Sequence, residues 1–150
     1  MSVNRTNSSV IGLDIGTVRI GVAKAYWPDG IPTPYTTLAN DDSLIANLKQ
    51  IIDSENVSLL VIGLPRNMNS QSTKQTDYVK RFAKGLSKTT GLPVRFQDEA
   101  VTSIRAEEEL RARGKAYDKG DIDKLSASYI LDDYFHADRR EGFPLEHKSI

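Results

Sequence analysis

The sequence contains no cysteine among its 150 residues. This absence excludes a disulfide scaffold, a zinc site with thiolate ligands and a cysteine nucleophile, and it is compatible with a reducing compartment. No run of about 18 apolar residues is present, so we expect no membrane-spanning helix. The first ten residues are polar and lack the apolar segment of a secretory signal. We therefore expect a cytoplasmic protein without a membrane partner.

The chain also lacks an excess of either charge, because 20 lysines and arginines balance 20 aspartates and glutamates. A protein that coats nucleic acid through bulk charge is therefore not expected. The distribution is uneven, however, since residues 66–95 contain seven basic side chains and the single acid Asp77, leaving a local charge of +6. Such a segment is typical either of a solvated helix surface or of a basic face that meets phosphates, and charge alone leaves both interpretations open.

Hydrophobic residues make up 39% of the chain and charged residues 27%, as in a single globular domain. We expect residues 1–150 to form one domain with an ordered core over about 9–140 and loose tails at 1–8 and 141–150. The apolar spacing predicts five strands and four helices. The strands are expected over 10–15, 19–26, 35–38, 57–62 and 94–97, and the helices over 41–54, 73–88, 102–113 and 121–136.

The order of these elements predicts an α/β fold. Three consecutive strands form an antiparallel meander, and two further strands reached through crossover helices add in parallel. The result is a five-stranded mixed sheet flanked by helices. Pro34 lies in the third strand and lacks a backbone donor, which places that strand at an edge. Asp41 or Asp42 is expected to cap the first helix.

Acidic residues fall at the ends of predicted strands and at the start of the last helix. Asp14 interrupts an apolar strand, where a buried carboxylate needs a partner or a cation. Asp98 and Glu99 terminate the last strand, and Asp121 and Asp123 open the last helix. Capping explains Asp121 well and Asp123 less well. Carboxylates from separate elements at one end of a sheet indicate a site for Mg²⁺ or Mn²⁺.

Four segments resemble the motifs of one family. They are residues 12–23 (GLDIGTVRIGVA), 61–69 (VIGLPRNMN), 96–103 (FQDEAVTS) and 123–131 (DKLSASYIL). In this order and spacing they are similar to the motifs of the YqgF-type (RuvX-like) family of pre-16S rRNA nucleases, which are also described as Holliday-junction resolvases. The first segment is less specific by itself, because a G-x-D-x-G-T pattern also opens actin-like and sugar-kinase ATPase domains.

The resemblance implies an RNase H-like fold and metal-dependent hydrolysis of phosphodiester bonds. Matched by position, Asp14, Glu99 and Asp123 become the expected catalytic and metal-binding residues, with Asp98 as a further metal ligand. Two divalent ions about 4 Å apart can activate a water and stabilise the leaving oxygen together. The implied cofactor is Mg²⁺ or Mn²⁺, and the implied partner is structured RNA or branched DNA. We expect a monomer or a weak homodimer.

Six polar residues are predicted to contact the substrate: Thr17, Arg19, Arg66, Asn67, Lys80 and Lys84. The first two follow Asp14 closely, the next two lie in the loop after the fourth strand, and the two lysines lie on the outer side of a helix. Ordinary turn residues and solvated lysines are the alternative interpretation of this set.

Two positions depart from the family pattern. Ala100 stands where an arginine follows the Asp-Glu pair, and Asn69 stands in place of a loop aspartate. Neither change removes an expected metal ligand. The missing arginine predicts slow turnover, and Arg105, one helical turn further on, is the nearby residue that is able to substitute for it.

The leading hypothesis is therefore a metal-dependent endonuclease that processes the 5′ end of pre-16S rRNA. A Holliday-junction resolvase and a non-catalytic nucleic-acid-binding protein of ribosome assembly remain alternatives. An actin-like ATPase is a further alternative, although such proteins pair two domains of this kind around the nucleotide.

Overall fold

The computed structural model describes residues 8–26, 30–65, 74–99 and 102–141. Its elements are β1 (Ser9–Ile15), β2 (Arg19–Tyr26), β3 (Thr33–Ala39), α1 (Leu44–Ser54), β4 (Val57–Pro65), α2 (Lys74–Thr90), β5 (Val94–Glu99), α3 (Thr102–Ala112) and α4 (Lys119–Glu141). The predicted order and type of the elements are confirmed. Ser8, which was assigned to a loose tail, is buried.

The five strands form one mixed sheet in the order β3-β2-β1-β4-β5. β1 pairs antiparallel with β2, and β2 pairs antiparallel with β3. β4 lies parallel to both β1 and β5. The predicted α/β fold is confirmed, and β3 with its Pro34 lies at an edge as expected. Because β1, β4 and β5 run in the same direction, their carboxyl ends meet at one end of the sheet.

The last two strands are longer than their apolar runs predict. Gly63 pairs with Gln97 and Pro65 pairs with Glu99 in a continuous parallel ladder. Asp98 and Glu99, which were expected to terminate the last strand, are its last two residues, so only the predicted end of the strand at residue 97 was two residues short. Backbone pairing with a neighbouring strand, and not side-chain hydrophobicity, decides where these two strands end.

Helices cover both faces of the sheet. One face packs against α1 and α2 around a core that includes Leu13, Leu60 and Leu86. The other face packs against α4 through a second core with Val61 and Phe135. α3 lies against α4 and adds a small third cluster. No helix in the described part of the chain is long and apolar enough to cross a membrane.

Glycines on two neighbouring strands bring α4 very close to the sheet backbone. A Cβ atom added to Gly21 would lie 1.9 Å from the backbone oxygen of Asp123. A Cβ atom on Gly12 would lie 3.0 Å from the backbone oxygen of Ala127. Because glycine has no side chain, α4 packs directly on the backbone of β1 and β2. Its first turns therefore lie over the carboxyl end of β1 and the start of β2.

The helix caps differ from the prediction at α1 and α4. The N-cap of α1 is Ser43, and Asp41 instead accepts a hydrogen bond from the backbone N–H of Ser43 at 2.8 Å. At α4 the cap is Asp118, which exchanges hydrogen bonds of 2.9 and 3.0 Å with Asp121. The helix therefore begins at Lys119, two residues earlier than predicted, because a reciprocal capping pair adds a further half turn.

Candidate active site

A cavity of about 470 Å³ opens at the carboxyl ends of the parallel strands. All three acids predicted as catalytic lie in its wall, and they come from three separate elements: Asp14 from β1, Glu99 from β5 and Asp123 from α4. The other lining residues are Ile15, Gly16, Pro65, Gln75, Thr102, Ser103 and Ile104. The sheet topology therefore brings together carboxylates that are up to 109 positions apart in the sequence.

Asp14 is the acid most affected by its surroundings. Its backbone lies opposite Gly21 in the β1–β2 ladder, so the side chain points to the sheet face that α4 covers. Burial raises the pKa of Asp14 to about 8, with the negative charges of Glu99 and Asp123 and a side-chain hydrogen bond to Glu99 adding to the effect. The site therefore concentrates more negative charge than the protein itself neutralises.

Asp123 is held by an arginine from the first motif. The Nε atom of Arg19 donates to Oδ2 of Asp123 at 2.6 Å, and both side chains are partly buried. Arg19 begins β2, directly after the turn in which the backbone N–H of Gly16 donates to the Arg19 carbonyl. A Cβ atom on Gly16 would lie 2.6 Å from that carbonyl oxygen, so this turn needs glycine.

Glu99 is held by the first residue of α3. The hydroxyl group of Thr102 donates to Oε1 of Glu99 at 2.7 Å. This role of Thr102 was not predicted, because a contact between the end of a strand and the start of the next helix is decided by the tertiary structure. Gly63 on the neighbouring strand leaves space for the same carboxylate, since a Cβ atom there would lie 2.9 Å from its Oε2 atom.

The donor set has the chemistry that Mg²⁺ and Mn²⁺ prefer, since it offers carboxylate oxygens and lacks sulfur. Among the residues that the structure describes, however, no three acidic or histidine side chains are close enough together to hold a metal ion. The ion pair with Arg19 and the hydrogen bond from Thr102 hold two of the three carboxylates in their present positions. The residues fit a divalent cation in charge and ligand type, and a closed ligand set requires them to move.

Asp98 lies on the opposite side of β5 from Glu99. Successive residues of a strand point to opposite faces, and Val94 of the same strand belongs to the core under α1 and α2. Asp98 is absent from the described residues that line the cavity. Asp98 therefore does not belong to the described carboxylates that converge on the cavity.

The predicted substrate-binding residues occupy three different places. Thr17 is exposed in the turn between β1 and β2, and Arg19 contacts Asp123 as described above. Lys80 and Lys84 are exposed on α2 and line a separate groove between this helix and β5. Arg66 and Asn67 lie outside the described residues, as do Asn69 and Ala100.

Gln75 and Ile104 also line the cavity, and neither was among the predicted site residues. Gln75 reaches the cavity from the first turn of α2, and its side-chain nitrogen lies 3.4 Å from the carbonyl oxygen of Ile15. Ile104 lies in the first turn of α3 and is 57% exposed. Neither residue belongs to a run with a chemical signal, and an exposed isoleucine beside a polar cavity is recognisable only in three dimensions.

The fold has counterparts among solved structures. The chain is similar to RuvC of Thermus thermophilus in complex with a Holliday junction substrate, with a TM-score of 0.54 and 15% identity over 90% of this chain and 96% of that chain. A second Thermus thermophilus RuvC structure gives a TM-score of 0.53, with 14% identity, 89% of this chain and 96% of that chain. This likeness defines an RNase H-like fold.

The family follows from the sequence comparisons. The model of the family described as "RuvX: Holliday junction resolvase" matches residues 8–137, and the chain belongs to this family. A relative from Synechocystis sp. named "Putative pre-16S rRNA nuclease" is 39% identical over 127 residues, which cover 82% of this chain and 84% of the relative. A relative of the same name from Gloeothece citriformis is 34% identical over 145 residues, 94% of this chain and 95% of the relative. The resemblance read from the four motifs is confirmed, and the chain belongs to a family of nucleases.

Proposed function

We propose that this protein is a divalent-metal-dependent endonuclease that hydrolyses phosphodiester bonds in structured nucleic acid, with the 5′ end of pre-16S rRNA as its substrate. The observation that carries the proposal is the convergence of Asp14, Glu99 and Asp123 on one open cavity at the carboxyl ends of three parallel strands. A protein that only binds phosphates gains nothing from crowded carboxylates, because like charges repel each other and the substrate. The choice of RNA substrate is supported by the names of the relatives.

The same three carboxylates are the proposed ligands of Mg²⁺ or Mn²⁺. Bound there, divalent ions would supply a hydroxide nucleophile from water and neutralise charge on the scissile phosphate. Each protein group has a distinct task in this scheme. Asp14 contributes from β1, the central strand of the sheet, whereas Thr102 donates a hydrogen bond to the Glu99 carboxylate at the cavity wall.

Arg19 has a second task in this proposal. Its guanidinium forms an ion pair with the Asp123 carboxylate. If Asp123 were to hold a divalent cation, the Arg19 guanidinium beside the cavity would be able to bind a phosphate oxygen of the substrate. Arg19 therefore links the assembly of the ligand set to substrate binding.

A cleavage assay with matched variants tests the proposed function. A labelled pre-16S rRNA fragment is incubated with the protein in Mg²⁺, Mn²⁺ or EDTA, and products are mapped on a sequencing gel. We expect cleavage at a defined 5′ site that requires metal and is lost in Asp14→Asn. The control is Asp53→Asn, because Asp53 is exposed on α1 and its removal changes the net charge by the same amount. Equal cleavage by wild type and Asp14→Asn would reject the proposal.

Branched DNA is the second candidate substrate. It is favoured by the description of the family model and by the likeness in fold to a RuvC protein bound to a Holliday junction. A four-way junction is therefore offered in parallel with the RNA and with a linear duplex of the same sequence. Symmetrical cutting of the junction, with the RNA left intact, would assign the activity to branched DNA.

A further inference from the structure

A second concave surface lies between α2 and the edge strand β5, outside the acidic cavity. It has a volume of about 520 Å³. The residues that line it are Lys80, Ala83, Lys84, Ser87, Lys88, Val94 and Phe96. We call this surface the α2–β5 groove. Its lining combines lysines with apolar side chains. This combination has no role in the hydrophobic core or in the proposed hydrolysis.

The three lysines form a row along one side of the groove. Lys80, Lys84 and Lys88 are spaced by four residues, so their backbone positions rise by about 6 Å at each step along the helix. All three side chains are exposed, and no ion pair joins any of them to another residue in the part of the chain that the structure describes. Cations at this spacing match the repeat of phosphates in an extended single strand.

Phe96 faces the lysines from the other side. It is 38% exposed, although phenylalanine is usually buried, and it belongs to none of the hydrophobic clusters found among the described residues. The neighbouring Val94 on the same strand face is buried, so the apolar surface is exposed only where the groove is open. An aromatic ring beside a row of cations is the arrangement on which unpaired bases stack.

The groove starts next to the acidic cavity. Gln75 lines the cavity and precedes Lys80 by five residues of the same helix, a rise of about 8 Å. Glu99 lines the cavity and follows Phe96 by three residues of the same strand, about 10 Å. Phe96 and Glu99 point to opposite faces of β5, so a nucleic-acid strand bound at the carboxylates reaches the groove by passing round the carboxyl end of this edge strand.

We propose that the α2–β5 groove binds a single-stranded segment of nucleic acid adjoining the cleavage site, with a base stacked on Phe96 and phosphates on the lysine row. The role of this segment as part of the substrate rests on the proposed nuclease function. A duplex does not satisfy the groove, because its bases are stacked inside the helix and are not available to Phe96. A second copy of the chain is also disfavoured, since a symmetric contact would place the lysine row against its own counterpart.

Binding of a short RNA strand tests the inference without any cleavage. A fluorescently labelled octauridylate is titrated with the protein in EDTA, and the Kd is read from anisotropy. We expect Phe96→Leu to weaken binding about 5- to 100-fold, the range for loss of one base–aromatic stack, and Phe96→Tyr to retain wild-type affinity. Tyr35→Leu serves as the matched control, because Tyr35 is 36% exposed on the opposite edge strand.

The outcomes separate this inference from the proposed function. Equal affinity of wild type and Phe96→Leu would overturn it, as would equal loss in Tyr35→Leu. Tight binding of an eight-base-pair duplex with the same dependence on Phe96 would also overturn it. Concentration-dependent dimerisation that Phe96→Leu abolishes would reassign the surface to a second copy. If octauridylate binding depends on Phe96 while neither the wild type nor any variant cleaves RNA, the inference that the groove binds a single strand is supported and the nuclease proposal is rejected.

Discussion

The guanidinium of Arg19 lies with its Nε atom 2.6 Å from Oδ2 of Asp123, so a residue at the start of β2 pairs with one in the first turns of α4. This pair is the one place where a basic side chain enters the acidic set among the described residues. It lies in the same site as Asp14, whose pKa is raised to about 8 by burial and by the neighbouring carboxylates. The protein thus carries its own counter-charge at the position proposed for a cation.

Removal of this counter-charge is expected to lower stability in the absence of metal. Arg19→Gln leaves Asp123 facing Asp14 without a cation, and we expect a loss of about 1 kcal/mol, or a fall in Tm of about 2–4 °C. Thermal unfolding in EDTA and in Mn²⁺ measures the effect, and the deficit should shrink in Mn²⁺. Arg111→Gln is the control, because it removes an exposed pair with Glu107 on α3. An identical fall in Tm in both variants would show that the pair of Arg19 and Asp123 contributes no more stability than an ordinary surface ion pair.

Asp14→Asn is expected to stabilise the metal-free protein while abolishing cleavage. The pKa of Asp14 is about 8 in the folded protein against an ordinary value of 3.8, so the protonated form favours folding. This contribution is complete below about pH 4 and is lost as the pH rises through 8. Tm measured in EDTA from pH 4 to pH 8.5 should therefore fall more steeply for wild type than for Asp14→Asn. Parallel curves, or a strong loss of stability in the variant, would mean that the ionised carboxylate is structurally required.

The close approach of α4 to the sheet makes Gly21 irreplaceable. An added Cβ atom would lie 1.9 Å from the backbone oxygen of Asp123, so Gly21→Ala must push the helix away. We expect a loss of about 2–3 kcal/mol in the free energy of unfolding, measured in urea, and a loss of cleavage. Gly85→Ala is the matched control, because nothing lies within 4 Å of that position in α2. It should be neutral or stabilising by about 0.5–1 kcal/mol.

Charge on α2 is expected to control the salt dependence of binding. Lys84→Gln should weaken binding to all sequences alike and reduce the slope of log K against log salt by about 0.7–0.9. Binding is measured by anisotropy between about 50 and 200 mM salt. Lys49→Gln, on the exposed side of α1, should leave the slope unchanged. The same slope in wild type and Lys84→Gln would show that Lys84 is solvated and does not contact nucleic acid.

Restoring the family arginine is expected to raise the rate. Ala100→Arg should increase cleavage by roughly 30- to 1000-fold, equivalent to about 2–4 kcal/mol of transition-state stabilisation, and should change substrate affinity less. Arg105 does not reach the cavity, since its guanidinium carbon lies 4.4 Å from the Tyr129 ring centroid and its Nη1 atom 3.5 Å from Asp133. Arg105→Ala should therefore leave kcat unchanged. A large loss of cleavage rate in Arg105→Ala, with no gain in Ala100→Arg, would show that Arg105 performs the role of the missing arginine.

The strands, helices and principal acids of this protein were predictable because local signals specify them. Alternating and continuous apolar runs mark β1 to β5, glycines end α2 and α3, and the motifs around Asp14, Glu99 and Asp123 are local in sequence. Helix starts were less predictable. The N-terminus of α4 is capped by the reciprocal hydrogen bonds between Asp118 and Asp121. The sequence offers several aspartates in this segment, and it does not show which of them is the cap.

Tertiary structure alone decided how those acids are used. Arg19 and Asp123 are separated by 104 positions, and they meet only because glycines in β1 and β2 let α4 rest on the sheet. The pairing of β5 with β4 extends the strand through Glu99, and alternation then turns Asp98 to the opposite face. Local sequence sets which conformation each segment prefers, whereas the contacts that raise a pKa or orient a carboxylate are made between segments and exist only once the sheet and α4 have packed together.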